Sequence, residues 1–199
     1  EDISYVLMTH MHHDHSGGLT KLNENHQLVS TFPNAKIFVN DIEWYEMMNP
    51  NNRTKGTYLR ENWEPIQHQV ETFTEYLNVI PEIQMVHTGG HSNGHSIILL
   101  KQGNETMIHM ADLLLTHAHR KPVWVAAVDD YPMRSIIAKE KWLKEAFENH
   151  YKFFFYHDQF FAVVEFDHEG KEIVDYVKRI REPRLPFTDK QDRKPALYH

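Results

Sequence analysis

The chain contains no cysteine. Disulfides, thiolate metal sites and cysteine nucleophiles are excluded together, so any metal must be held by imidazole and carboxylate. Long apolar runs are also missing: the longest, Val123 to Val128, falls far short of the roughly 20 residues that span a bilayer. The acidic start Glu1-Asp2 is no signal-peptide n-region. A soluble, cytoplasmic protein without a membrane partner is expected. Positive charge is in deficit, with 21 Lys and Arg against 28 Asp and Glu and a formal net charge of −7, the wrong sign for a nucleic-acid surface. No internal repeat or low-complexity tract is visible, which leaves out fibrous and disordered classes. With 199 residues, 41% of them hydrophobic, the chain can bury a core in one globular domain.

What it has in excess is histidine, 16 residues against 8 glycines. Their placement follows the hydrophobic pattern. The short apolar run Ile3 to Met8 reads as a strand and ends abruptly in THMHHDHSGG. No initiator methionine precedes it, and the chain reads as part of a longer protein. A short helix is expected around Leu19 and Leu22, then a strand at Lys36 to Val39 and a helix capped by Asp41. Residues 41–80, rich in Trp, Tyr, Met, Asn and Glu, read as a helical insertion broken by Asn49-Pro50-Asn51-Asn52. Further strands are expected at Ile83 to His87, Ser96 to Lys101 and Thr106 to Met110, the last two joined by a Gly103-Asn104 hairpin turn. A long helix should begin at Pro132 and run to about His150 on Ile136, Ile137, Trp142, Leu143, Ala146 and Phe147. Strands at Phe153 to Tyr156, Phe161 to Phe166 and Glu172 to Val177 complete a domain over 1–181, and residues 182–199 form a charged, proline-containing tail.

Four of these strands run directly into a loop carrying His or Asp, an arrangement that lets ligands converge. The densest loop is His10-Met11-His12-His13-Asp14-His15. At an extended strand end residues two apart share a side, so His10 and His12 can grip one ion, while Asp14 and His15 on the turn can serve a second. Four N/O donors from one loop suit a pair of ions roughly 3.5–4 Å apart better than a single one. Further ligand candidates sit at the other strand ends: His91 in GGHSNGH, Asp112 in HMADLLLTHAH and His157 in FFFYHDQF.

The string HMHHDH, followed in order by His91, Asp112 and His157, resembles the H-x-H-x-D-H signature of the metallo-β-lactamase superfamily. The stretch ADLLLTHAHRKPVWVAAVDDYP is further similar to the quorum-quenching lactonases of the YtnP type. The resemblance implies an α/β fold, the αββα sandwich, here lacking part of the N-terminal sheet because only nine residues precede His10. It implies that His10, His12 and His91 hold one ion, that Asp14, His15 and His157 hold the other, and that Asp112 bridges both. Smaller acyl-homoserine lactonases of the superfamily carry a tyrosine three residues after the bridging Asp. Leu115 stands there in this chain, so that tyrosine's carbonyl-polarising role is not carried over.

Singly, His91 and His157 would read as satisfied core histidines and Asp112 as a cap; their order along the chain lifts them. His13 has the wrong phase and should face solvent. His95 belongs to a strand start, and His117 and His119 stay open between pocket and surface. Most of Trp44, Tyr45, Met47, Met48, Tyr58 and Trp63 should be ordinary core, with one or two lining a pocket for an acyl chain.

The implied function is hydrolysis of a lactone, of the N-acyl homoserine lactone kind, by a hydroxide bridging two divalent ions, with Asp14 or Asp112 placed to shuttle the proton. Zinc suits the donors best, with manganese or iron as alternatives. The partner is a small molecule, and a homodimer is compatible with the sequence. Other readings are a thioester or phosphodiester hydrolase, a mononuclear iron sulfur dioxygenase, and a non-catalytic metal-binding protein.

Overall fold

The structure, a computed structural model, describes residues 2–179; the tail expected over 182–199 lies outside them. The elements in chain order are β1 (Tyr5–Leu7), α1 (His13–Ser16), β2 (Thr20–Leu22), β3 (Leu28–Ser30), β4 (Lys36–Asn40), α2 (Asp41–Met48) and α3 (Arg60–Trp63). They continue with β5 (Val70–Phe73), β6 (Tyr76–Ile80), β7 (Ile83–His87), β8 (Ser96–Gln102), β9 (Glu105–His109), α4 (Pro132–Glu148), β10 (Lys152–Phe154), β11 (Phe161–Phe166) and β12 (Ile173–Lys178).

Seven strands form one sheet in the order β12-β11-β10-β9-β8-β7-β6, and β1-β4-β5 form a second, with β2-β3 as a separate hairpin. The two-residue period of a strand decides what lies on each face. In β8, Ile97 and Leu99 join the core under α4, while Ile98 packs with Phe38, Phe73 and Met85 between the sheets. In β4, Ile37 and Val39 pack beneath α2 with Met8, Met11, Met47, Tyr58 and Ile66, whereas Phe38 points at the large sheet. Helix, sheet, sheet and helix are thus held by three apolar layers, the αββα arrangement that the resemblance implies.

Several local expectations are corrected. The segment after Gly18 is a 3-10 turn running into β2, not a helix with Leu22, because the pairing of Thr20–Leu22 with Leu28–Ser30 satisfies its backbone. Asn40, not Asp41, is the N-cap of α2: its side chain accepts the Ile42 amide at 3.0 Å and its own amide group donates to Phe73 and Thr74 carbonyls. The insertion is helical only to Gln69, since Val70–Phe73 and Tyr76–Ile80 find strand partners in β4 and β7. The buried stripe of α4 is Ser135, Ala138, Lys139, Trp142, Leu143 and Ala146, while Ile137 faces out at 64% exposure. A stripe repeating at three and four residues overrides side-chain hydrophobicity here. β1 pairs with β4 alone, so the sheet ends at β1 among the described residues, and Tyr5 is half exposed.

Phe153 fills the layer under α4 and is almost fully buried beside Phe147 and Phe166. Phe153→Ala should lower unfolding free energy by about 3–5 kcal/mol, whereas Ile137→Ala should stay within about 0.5 kcal/mol of wild type. Urea unfolding of the two variants checks this, and equal costs would mean that the core layer is not where the structure puts it.

Candidate metal centre

Four strand ends deliver the donors. β1 leads to His10 and His12, β7 to His91, β9 to Asp112 and β10 to His157. The sequence placed Asp14 and His15 on a turn, and they lie on the single helical turn α1. After β9 the backbone is left-handed at Ala111, with φ of 45°, a costly conformation for a residue with a Cβ that turns the chain sharply just before Asp112. At Gly90, φ is 106° and an added Cβ would sit 2.8 Å from the Ser135 Cα, so the loop before His91 reaches its place only with glycine there.

The seven predicted residues come together in two groups. Donor atoms of His10, His12 and His91 lie within 4.8 Å of one another, as do those of Asp14, His15, Asp112 and His157. Asp112 touches both groups. Its Oδ2 is 3.3 Å from His91 Nε2 and 3.9 Å from His10 Nε2, and its Oδ1 is 3.3 Å from the Nε2 atoms of His15 and His157. His12 Nδ1 and His91 Nε2 are 3.0 Å apart, and His15 and His157 Nε2 are 3.4 Å apart. Two donors on one tetrahedral ion at about 2.0–2.1 Å stand about 3.3–3.4 Å from each other, so these separations fit shared cations. The buried His10 Nε2 and Asp112 Oδ1 have no hydrogen-bond partner, which is costly for polar atoms in a core and fits donors turned toward a cation.

The electrostatics favour the binding forms. Burial is the main force holding His10 and His12 down, His12 to about 3, so both are neutral imidazoles. Burial pushes the Asp112 carboxyl up, but the neighbouring His15, with the charges of His91 and His157, outweighs it and leaves it at about 2. His91 is lowered by burial and raised further by Asp129 and Asp112, a net rise.

Sequence reasoning missed the side chains that orient these donors. His91 Nδ1 donates to Asp129 Oδ1 at 2.9 Å, which turns Nε2 toward His12 and Asp112. Asp129 stands in the VDDYP segment of the lactonase-like stretch, the only signal that could have marked it. Asp158, next to His157, accepts the His117 backbone amide and Nδ1 together with the amides of Phe160 and Phe161, and so sets the loop that carries His157. His117 is therefore a support of that loop. His119 is held by Thr116 at 2.8 Å and lies outside both groups. His13 is exposed, as its phase implied, and His95 is fully buried at the start of β8. Met47 and Tyr58 belong to the core, while Tyr45 and Met48 face outward.

Lys139 ties α4 to the loop between Asp112 and Asp129 by donating to the His119 and Trp124 carbonyls at 2.8 and 2.6 Å. Its side chain is wholly buried, and burial lowers its ammonium from 10.5 to about 8. Between those values the unfolded chain keeps a proton that the folded chain has released, so stability must rise with pH across that window. Relative to Lys139→Met, wild type should gain up to about 1.4 kcal/mol per pH unit between about pH 8 and 10 in urea unfolding. Parallel profiles for the two proteins would show that the ammonium is not buried as described.

Residues 1–148 match the sequence profile of the Metallo-beta-lactamase superfamily. N-acyl homoserine lactonases from a Bacillus species and from Bacillus cereus are 28% and 29% identical over 102 and 107 residues, covering 51% of this chain and 34% of each relative. The match therefore spans about a third of the length of those relatives. The crystal structure of a probable metal-dependent hydrolase from Staphylococcus aureus superposes with a TM-score of 0.87 at 39% identity, over 92% of this chain and 65% of that one. AidC, a dizinc quorum-quenching lactonase solved with a product N-hexnoyl-L-homoserine, superposes at 0.73 with 18% identity, over 92% of this chain and 66% of its own. At that identity the likeness is one of fold.

Proposed function

The chain belongs to the metallo-beta-lactamase superfamily, a family of metal-dependent hydrolases, and we propose that it is a binuclear member that opens lactones of the N-acyl homoserine class. The observation that carries this reading is Asp112, whose two carboxylate oxygens face two separate histidine groups. His10, His12 and His91 would hold one divalent ion and Asp14, His15 and His157 the other, with Asp112 shared. A site for one ion would have no use for the second group, which speaks against the mononuclear iron dioxygenase. Imidazole and carboxylate donors suit zinc, and the neighbour AidC is a dizinc enzyme. The lactone class is supported by the Bacillus relatives, which are named N-acyl homoserine lactonases.

When bound, two divalent ions supply Lewis acidity toward a carbonyl and make water acidic enough to react near neutral pH. The protein's part is to hold charge and move protons. Asp112, almost fully buried and ionised, would offset the repulsion between two cations held by the two histidine groups. Asp14 is 43% exposed with Oδ2 3.4 Å from His15 Nε2 and 3.5 Å from His157 Nε2. It is the carboxylate that both reaches the site and meets solvent, and it is suited to pass a proton to the departing alkoxide. Tyr156 donates to the Asp14 carbonyl at 3.0 Å and lies beside His15, which steadies that rim.

Purified protein should carry close to two transition-metal ions per chain and release acid from acyl-homoserine lactones faster than it turns over thioesters or phosphodiesters. A consistent single ion after metal-replete expression would rule out the binuclear reading, and faster thioester or phosphodiester turnover would rule out the lactone. Asp112→Ala should lose one ion and lower kcat/KM at least about a hundredfold. His13→Ala, altered on the exposed side of α1, should keep both ions and most activity. An Asp112→Ala protein with two ions and near-normal rate would remove Asp112 from the site.

A further inference from the structure

Glu43 is a carboxylate with no solvent exposure, set in the first turn of α2. Burying such a group is expensive unless every oxygen is paired, and here both are. Oε1 accepts the Met11 backbone amide at 2.8 Å and the Tyr58 hydroxyl at 3.1 Å, and Oε2 accepts the Ser92 hydroxyl at 2.6 Å. Two of these three donors belong to loops of the three-histidine group. Met11 stands between His10 and His12, and Ser92 follows His91. The third, Tyr58, has its ring 5.4 Å from that of His12.

The helix has no need of this carboxylate for its own start, because Asn40 and Asp41 already accept the Ile42 amide. The His91 loop is also pressed directly onto the helix: a Cβ added at Gly94 would lie 2.1 Å from the Glu43 nitrogen. The carboxylate therefore sits where helix, first histidine loop and second histidine loop meet, and it bonds to each side.

We propose that Glu43 is a positioning residue that sets the distance between the His10–His12 loop and the His91 loop, and thereby the affinity of the three-histidine site for a divalent cation. The inference rests on the reading of that group as a metal site, and it concerns binding, so it does not depend on the substrate. Glutamine can keep the geometry, since its carbonyl oxygen can accept from Met11 and Tyr58 while its amide donates to the Ser92 oxygen. Alanine cannot, and it leaves the Met11 amide and two hydroxyls unpaired in the buried interior.

The test is a cobalt(II) titration of the full chain, following visible absorption and competing with a chelator. Glu43→Ala should weaken one of the two binding steps by about 10- to 100-fold, the usual scale for groups that support metal ligands, and should alter the absorption bands of that step. Glu43→Gln should stay within about threefold of wild type. Phe166→Ala, a cavity in the core layer under α4 that includes no residue of either loop, should lower Tm and leave both steps in place. If Glu43→Ala does not fold, Ser92→Ala removes one arm alone and should weaken the same step. Unchanged cobalt binding in Glu43→Ala, or in Ser92→Ala when it is the variant used, overturns the proposal. So does a Glu43→Gln protein as weak as alanine, or an equal loss in Phe166→Ala. A wild-type chain that binds two cobalt ions but opens no lactone would overturn the proposed function and leave this inference standing, and one that binds no cobalt would overturn both.

Discussion

The Asp112 carboxylate, held between two sets of imidazoles, is the interaction on which the arrangement of this protein turns. Five histidines, His10, His12, His15, His91 and His157, bring nitrogens to within a few ångströms of one another or of this carboxylate. Neutral imidazoles tolerate that crowding, and burial keeps His10 and His12 neutral. Asp112 is the carboxylate that faces both sets, and the proposed two-cation site would draw negative charge from it. The cost is a buried charge and several buried nitrogens that the apolar layers alone do not stabilise.

Around this centre the structure places a second set of polar groups, each fixing one loop. Asp129 orients His91, Asp158 shapes the loop of His157, Glu43 joins the His10–His12 loop to the His91 loop, and Lys139 fastens the segment between Asp112 and Asp129 to α4. They come from α2, α4 and the connections, which pack onto the sheets from outside. Helices α2 and α4 thus serve the site through hydrogen bonds rather than by contributing donors, and α2 in particular links the aromatic insertion to the histidine-bearing loops. Arg53 adds to this link, bonding Asp130 and the Asp129 carbonyl from the insertion side.

The four-layer sandwich explains why the donors can converge at all. β1 belongs to the small sheet, and β7, β9 and β10 to the large one. The apolar contacts of Phe38 and Phe73 with Met85 and Ile98 hold the two sheets face to face. That layer fixes where one sheet's strand ends stand relative to the other's. The core between the sheets is therefore part of the site's geometry although it contains none of the donors.

By itself the sequence determined which residue types could bind metal and where along the chain they fall. Apolar runs followed at once by His or Asp mark strand ends, and HMHHDH carries a spacing that few other chemistries need. The strands at 36–39, 83–87, 96–101 and 161–166 were legible because alternation and turn residues agree there. The sequence misread residues 70–80 as helix, since strand pairing with β4 and β7 is a long-range property. It also put Ile137 on the inner face of α4 in place of Lys139, since hydrophobicity alone does not reveal that a lysine can reach two backbone carbonyls. Asp129, Asp158 and Glu43 were invisible as supports because each acts on a residue distant in sequence or on a loop whose shape is not local. Only the tertiary structure decided those pairings, because a buried carboxylate takes its meaning from whichever donors the packed sheets and helices bring to its oxygens.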